Sequence, residues 1–160
     1  MDDTQYRPDR DDGFQEEADE APVATGALIR VAAVVLRDEQ GRVLTVRKSG
    51  TRRFMQPGGK PEPGEGAVDA GIRECHEELG LRLKAGQLDH MGTFRAAAAH
   101  EPGHVVEAEV FCSTERLTES PQPRAEIAEI RWVEPDEGLP RDEYADLFLD
   151  HIIPALRRST

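Results

Sequence analysis

The stretch from Pro57 to Gly80 constrains the fold of this chain more than any other. Pro57, Gly58 and Gly59, followed by Pro61, Pro63, Gly64 and Gly66, exclude regular structure across that segment. Gly66 to Leu79 then carries the clearest helical pattern in the sequence, and Gly80 suits the left-handed residue that ends a helix. With Val68 at 0° and an advance of about 100° per residue, Ile72, Cys75 and Leu79 fall within about 40° of it, a narrow apolar stripe expected to face the core. Glu74, Glu77 and Glu78 fall on the opposite side with Ala67, Ala70 and Gly71, so the carboxylates stand beside almost bare backbone.

The elements around this helix alternate between strands and turns. Ala27 to Leu36 is a β-branched apolar run that reads as a buried strand. A turn at Asp38 to Gly41 follows, and Arg42 to Arg47 is expected to return as its hairpin partner. Lys48 to Phe54 reads as a polar loop. Further strands are expected near Gln87 to Arg95, His104 to Cys112 and Ile127 to Val133, with a closing helix over Asp142 to Arg157 that Pro154 would kink. No internal repeat is present.

At 160 residues the chain is sized for one domain, with or without a tail. Residues 1 to 24 read as an acidic disordered tail and 25 to 160 as the folded domain. The first 20 residues hold nine acids against Arg7 and Arg10, which is −7 of the net −12. That balance argues against stable binding to a nucleic-acid backbone. No apolar run is long enough for a membrane span, and the N-terminus lacks a basic-then-apolar signal, so the expected location is cytoplasmic. Cys75 and Cys112 have no metal-site spacing and read as small buried apolar residues.

The helix breaks two local rules at one place. Glu74 and Glu78 form a like-charge i,i+4 pair, and Glu77 and Glu78 occupy the last turn, where the helix dipole disfavours anions. Such a breach at a single site points to function, and a divalent cation is the simplest compensation. All-oxygen ligands select a hard ion, Mg²⁺ with Mn²⁺ as substitute, which would bridge carboxylates to a diphosphate and acidify a water. That is the chemistry of phosphoanhydride hydrolysis. The Gly59 carbonyl could add a neutral ligand, Glu65 stands at the favourable helix start, and Arg73 can reach Glu65 or Glu77 with its forked guanidinium.

Gly59 to Leu81 reads GKPEPGEGAVDAGIRECHEELGL and resembles the Nudix box, G-x5-E-x7-R-E-U-x-E-E-x-G-U with U aliphatic. Gly59, Glu65, Arg73, Glu74, Glu77, Glu78 and Gly80 match every fixed position; Cys75 replaces an aliphatic. The preceding hairpin, FMQPGGK and the late EIRWVE strand extend the resemblance over about residues 25 to 157. It implies an α/β/α sandwich around a mixed sheet and a MutT-like, Mg²⁺- or Mn²⁺-dependent hydrolase attacking a nucleotide-type small molecule. It also implies Glu74, Glu77 and Glu78 as metal ligands or base, with Glu65 and Arg73 supporting, and a homodimer would be in keeping with relatives. Phe54 stands where many members have Trp, and Gln56 where an aliphatic is common; these departures concern packing or substrate.

Relatives often use a carboxylate outside the box to complete the metal site or to serve as base. Glu126 is the first candidate and Glu129 the second. Arg47, Lys48, Arg52 and Arg53 flank the box and, with Lys60, are the expected phosphate-binding cations. Glu107 and Glu109 share a strand face that could line a polar cleft. His76 and His151 read as structural, His100 and His104 as loop residues without a metal partner, and Phe54 and Trp132 as core aromatics rather than base-stacking ones. Other readings stay open: a non-hydrolysing nucleotide sensor, an ADP-ribose or nucleotide-sugar pyrophosphatase, and an interaction protein acting through its acidic tail.

Overall fold

A computed structural model describes residues 26–159, and the acidic segment 1 to 24 lies outside the described residues. The element order is β1 (Leu28–Val35), β2 (Val43–Lys48), β3 (Gly58–Gly59), α1 (Ala67–Leu79), β4 (Leu88–Ala97), β5 (Val105–Ser113), β6 (Ile127–Val133) and α2 (Ile153–Arg158). A 3₁₀ turn at Ala85–Gln87 leads into β4, and a π turn at Phe148–Ile152 leads into α2.

Four strands form a mixed sheet in the order β3-β1-β5-β4, with β1 parallel to β5 and the other two pairings antiparallel. β1 is central and covered on both sides, which explains its unbroken apolar run. Alternation sends Ala33 and Val35 to the cluster containing Phe148, Ile152 and Leu156, and Val34 and Leu36 to the one containing Cys75 and Leu79. The sheet is therefore held between α1 on one face and the C-terminal helical segment on the other. This is the expected α/β/α sandwich around a mixed sheet.

β2 departs from the expected hairpin. The turn itself forms: Asp38 accepts from the backbone N–H of Gln40 (3.0 Å) and Arg42 (2.8 Å) and from Arg42 Nε (2.7 Å), and Leu44 N–H donates to Leu36. Beyond it both edges of β1 are taken, by β3 and β5, so β2 pairs with β6 in a second, two-stranded sheet. The closing helix also differs, because Arg141 to Glu143 are turns and Tyr144 bridges to Phe54. At its centre Ile153 N–H donates back to the Phe148 carbonyl across the π turn, one residue before Pro154, whose ring cannot donate. Among the described residues no helix is long and apolar enough to cross a membrane.

Candidate active site and metal centre

Helix α1 lies on the sheet with a rotation that its apolar stripe does not foretell. Cys75 and Leu79 are buried, but so are Ala70, Gly71 and Glu78, whereas Val68 and Ile72 are only half-buried. The small residues account for this. A Cβ on Gly71 would stand 3.0 Å from Val34 Cγ2, so glycine lets the helix backbone come this close to β1 without displacing Val34. The face with little side chain is thus a packing face, and it carries Glu78 inward with it. Gly80 ends the helix in the left-handed region at φ 68°, donating to the His76 carbonyl at 2.9 Å.

Glu78 is 1% exposed. One oxygen, Oε2, accepts from the Gly58 N–H at 3.2 Å; the other, Oε1, has no hydrogen-bond partner among the described residues. Burial pushes its carboxyl up to about 8, and the neighbouring Glu74 carboxylate adds to the effect. Glu74 packs against Gly59: a Cβ there would lie 2.6 Å from Glu74 Oε1. Its carboxyl is also raised by burial, against the pull of Arg73. Gly58, at φ 154°, brings β3 so close to β1 that any side chain would strike the Ala32 carbonyl oxygen.

Arg73 organises the acids around it. Nη2 donates to Glu65 Oε1 at 2.9 Å and to the Lys60 carbonyl at 3.2 Å, Nε donates to Glu65 Oε2 at 3.0 Å, and Nη1 donates to Glu74 Oε1 at 3.0 Å. The guanidinium hydrogen bond holds the Glu65 carboxyl below its ordinary range. Glu77 also goes to this fork, at 3.4 Å from Nη1, with its side chain half-exposed.

Glu126 arrives from the loop before β6. That loop is tied down on both sides, by Arg124 N–H on the Glu78 carbonyl (2.8 Å) and Ser49 N–H on the Glu126 carbonyl (2.7 Å). Ala125 between them takes φ 52°, a left-handed conformation that a non-glycine residue adopts at a cost. Among the described residues, Glu74, Glu78 and Glu126 come together, with one oxygen from each inside a sphere where all lie within 4.8 Å of one another. Three carboxylates, one buried with an unsatisfied oxygen, fit a hard divalent cation and are poorly explained as a solvated acidic face. The structure does not bring Glu77 into this group. Glu129 is also elsewhere, paired with Arg47 at 3.2 Å.

A cleft of about 430 Å³ opens beside the cluster. Glu74, Glu126, Gly58 and Gly59 line one part of it with the cations Lys48, Lys60 and Arg73. Ile29, Val31, Val106 and Leu147 line another part. Of the expected phosphate-binding cations, Lys48 and Lys60 lie in this cleft. Arg52 and Arg53 line an adjoining cavity of about 500 Å³ with Asp142, and His100 lines both spaces. Arg47 is committed elsewhere: besides Glu129, its Nη1 donates to the Thr51 carbonyl at 3.0 Å. Glu107 is likewise occupied, by Arg95 at 2.7 Å. Phe54 is a core residue with Arg131 stacked 4.0 Å over its ring, Trp132 donates to Ser120 at 3.1 Å, and His151 stacks on Phe94. Gln56 is the residue whose position gave the least warning: it lines the cleft while 5% exposed.

The NUDIX domain family model matches residues 27–156. An isopentenyl-diphosphate Delta-isomerase of Streptomyces griseus is 33% identical over 86% of this chain and 76% of its own. The m7GpppN-mRNA hydrolase NUDT17 of Bos taurus is 31% identical over 65% of this chain, which spans only 40% of that protein. Among solved structures, the MutT protein of Methanosarcina mazei Go1 superposes with a TM-score of 0.67 at 24% identity, covering 85% of this chain and 98% of that one, and supports the fold. The family model's span and the identity with the Streptomyces relative, taken with the box and its arrangement on α1, show that the chain belongs to the Nudix hydrolase family, enzymes that act on acid anhydrides.

Proposed function

We propose that this chain hydrolyses a phosphoanhydride bond in a nucleotide-type small molecule, with a divalent cation held by Glu74, Glu78 and Glu126 and aided by the Gly59 carbonyl. The observation that carries this reading is the buried, unpartnered Oε1 of Glu78 within a three-carboxylate cluster at a cleft that also holds Lys48, Lys60 and Arg73. A bound Mg²⁺ or Mn²⁺ would neutralise the acids, draw in a diphosphate and acidify water. The residues of the chain supply the rest. Lys48 and Lys60 receive the phosphates. Arg73 fixes Glu74 through its Nη1 and is itself fixed by Glu65, with Glu77 completing the fork rather than ligating directly. Glu126, the exposed member of the cluster, takes the proton as the water oxygen bonds to phosphorus. The bridging P–O bond breaks, and its electron pair leaves with the departing phosphate.

The test is release of phosphate and pyrophosphate from normal and oxidised nucleoside triphosphates, ADP-ribose, nucleotide sugars, dinucleotides, coenzyme A and isopentenyl diphosphate, with Mg²⁺, Mn²⁺ or EDTA. Cation-dependent cleavage of a nucleotide that is lost in Glu78→Gln and Glu126→Gln is expected. Tight nucleotide binding without cleavage of anything in the panel would overturn it in favour of a sensor, and isomerisation of isopentenyl diphosphate in its place would equally overturn it.

A further inference from the structure

Gln56 lines the cleft wall with both polar atoms of its side chain buried and unsatisfied, a state that the Nε2 of His100 shares. Gln56 is 5% exposed, and neither Oε1 nor Nε2 has a hydrogen-bond partner among the described residues. The main chain around it is held by its neighbours. Met55 exchanges backbone hydrogen bonds with Val46 at 2.7 and 2.9 Å, and the Pro57 carbonyl accepts from Val34 N–H at 3.0 Å, so the backbone on either side of Gln56 is clamped. Met55 packs with the α1-side cluster. Gln56, one residue on, lines the cleft together with Val31, Ala33 and Leu147.

Two neutral, unpaired polar atoms beside an apolar surface are unfavourable in the empty protein, and replacing them by an aliphatic side chain would remove the penalty. The side chain therefore makes sense as half of an interaction that a ligand completes. The cleft has two chemically different parts, a cationic part with the carboxylates and an apolar part on Ile29, Val31, Val106 and Leu147, and its volume is in the range of small-ligand sites. A ligand filling both carries phosphates and an apolar body. A carboxamide adds a requirement that this body present a donor next to an acceptor, the pattern on the edge of a nucleobase.

We infer that Gln56 is a specificity-determining residue that reads the donor–acceptor edge of a nucleobase held in the apolar part of the cleft. The inference rests on the hydrolase reading for the position of the phosphates, and it narrows the substrate to one that carries a base. An isoprenoid diphosphate would match the apolar surface but leave both amide atoms unpaired, so the cleft discriminates against it.

The experiment compares a nucleoside triphosphate, inorganic tripolyphosphate and isopentenyl diphosphate on the wild type and on Gln56→Met, which keeps length and volume without the amide. On the wild type, kcat/KM for at least one of the four common nucleoside triphosphates should exceed that for tripolyphosphate at least tenfold. In Gln56→Met that ratio should fall at least tenfold, chiefly through KM, with Tm equal to the wild type's or higher. Gln56→Glu, which exchanges the donor for an acceptor, should reorder the preference among the four bases. Equal ratios in wild type and Gln56→Met, or a wild type that prefers isopentenyl diphosphate, would overturn the inference, as would a uniform loss on all substrates with a lowered Tm. Calorimetric binding of a non-hydrolysable triphosphate separates the two readings. If nothing is cleaved but binding weakens at least tenfold in Gln56→Met, the base-reading role stands and the hydrolase reading fails. If cleavage is intact and binding is unchanged, the hydrolase stands and the role of Gln56 is overturned.

Discussion

Substituting Glu78 by Gln should make the metal-free protein more stable at alkaline pH. The carboxyl of Glu78 is raised from 4.5 to about 8 in the fold. Between those two values the native protein holds a proton that the unfolded chain has released, so stability falls as pH rises through the window and levels off above about pH 8. At about 1.4 kcal/mol per pH unit the full span would reach ~5 kcal/mol. Opening the last turn of α1 would rehydrate the carboxylate at a smaller cost, which brings the expected loss to about 2–4 kcal/mol. Gln is nearly isosteric, keeps a carbonyl oxygen for the Gly58 N–H and does not titrate. Glu74 shifts in the same direction but is present in both proteins, so the difference between them isolates Glu78. The assay is urea unfolding in EDTA at intervals from pH 5 to pH 9. The wild type should lose stability relative to Glu78→Gln across this range, and added Mg²⁺ or Mn²⁺ should recover it in the wild type alone. Parallel profiles for the two proteins, or a cation that stabilises both equally, would refute the reasoning.

Further outcomes follow from individual contacts. Gly59→Ala would place a Cβ 2.6 Å from Glu74 Oε1 and 2.7 Å from its Cδ, so the carboxylate must swing away; calorimetry should show cation affinity reduced at least ~10-fold with the fold retained, because the atoms that must move belong to one side chain. Arg73→Lys keeps the charge but loses the fork that joins Glu65 to Glu74, and kcat should fall ~10-fold or more while unfolding measurements show about 1–2 kcal/mol of destabilisation. Ala125→Gly relieves a left-handed residue at φ 52° and should raise stability by about 0.5–1 kcal/mol in a denaturant titration, with no change in the sheet.

How far the sequence discloses this structure depends on whether a residue's role is local. The box helix and its Gly80 terminus follow from short-range rules, as do the two-sided burial of β1 and the approximate limits of β4, β5 and β6. The partner of β2 does not, because it is decided by β3 and β5 occupying the edges of β1, a competition among segments distant in sequence. The rotation of α1 is similar. A hydrophobic wheel weighs only apolar side chains, whereas Ala70 and Gly71 set the helix by letting its backbone approach β1, and that turns Glu78 inward and leaves Glu77 to Arg73. Arg47 and Lys48 look alike beside the box, yet the pairing of β2 with β6 puts Arg47 against Glu129 and leaves Lys48 at the cleft. Gln56 stood out only as a polar residue where relatives carry an aliphatic one; its burial without partners required the three-dimensional arrangement.

The central claim, that Glu74, Glu78 and Glu126 hold a divalent cation on which phosphoanhydride cleavage depends, is tested most directly by titrating Mn²⁺ into chelator-treated protein by calorimetry and following nucleoside triphosphate cleavage on the same samples. The account predicts Mn²⁺ binding and turnover that rise together in the wild type and are lost together in Glu78→Gln. Turnover that persists in EDTA, or Mn²⁺ bound equally well by Glu78→Gln, would contradict it.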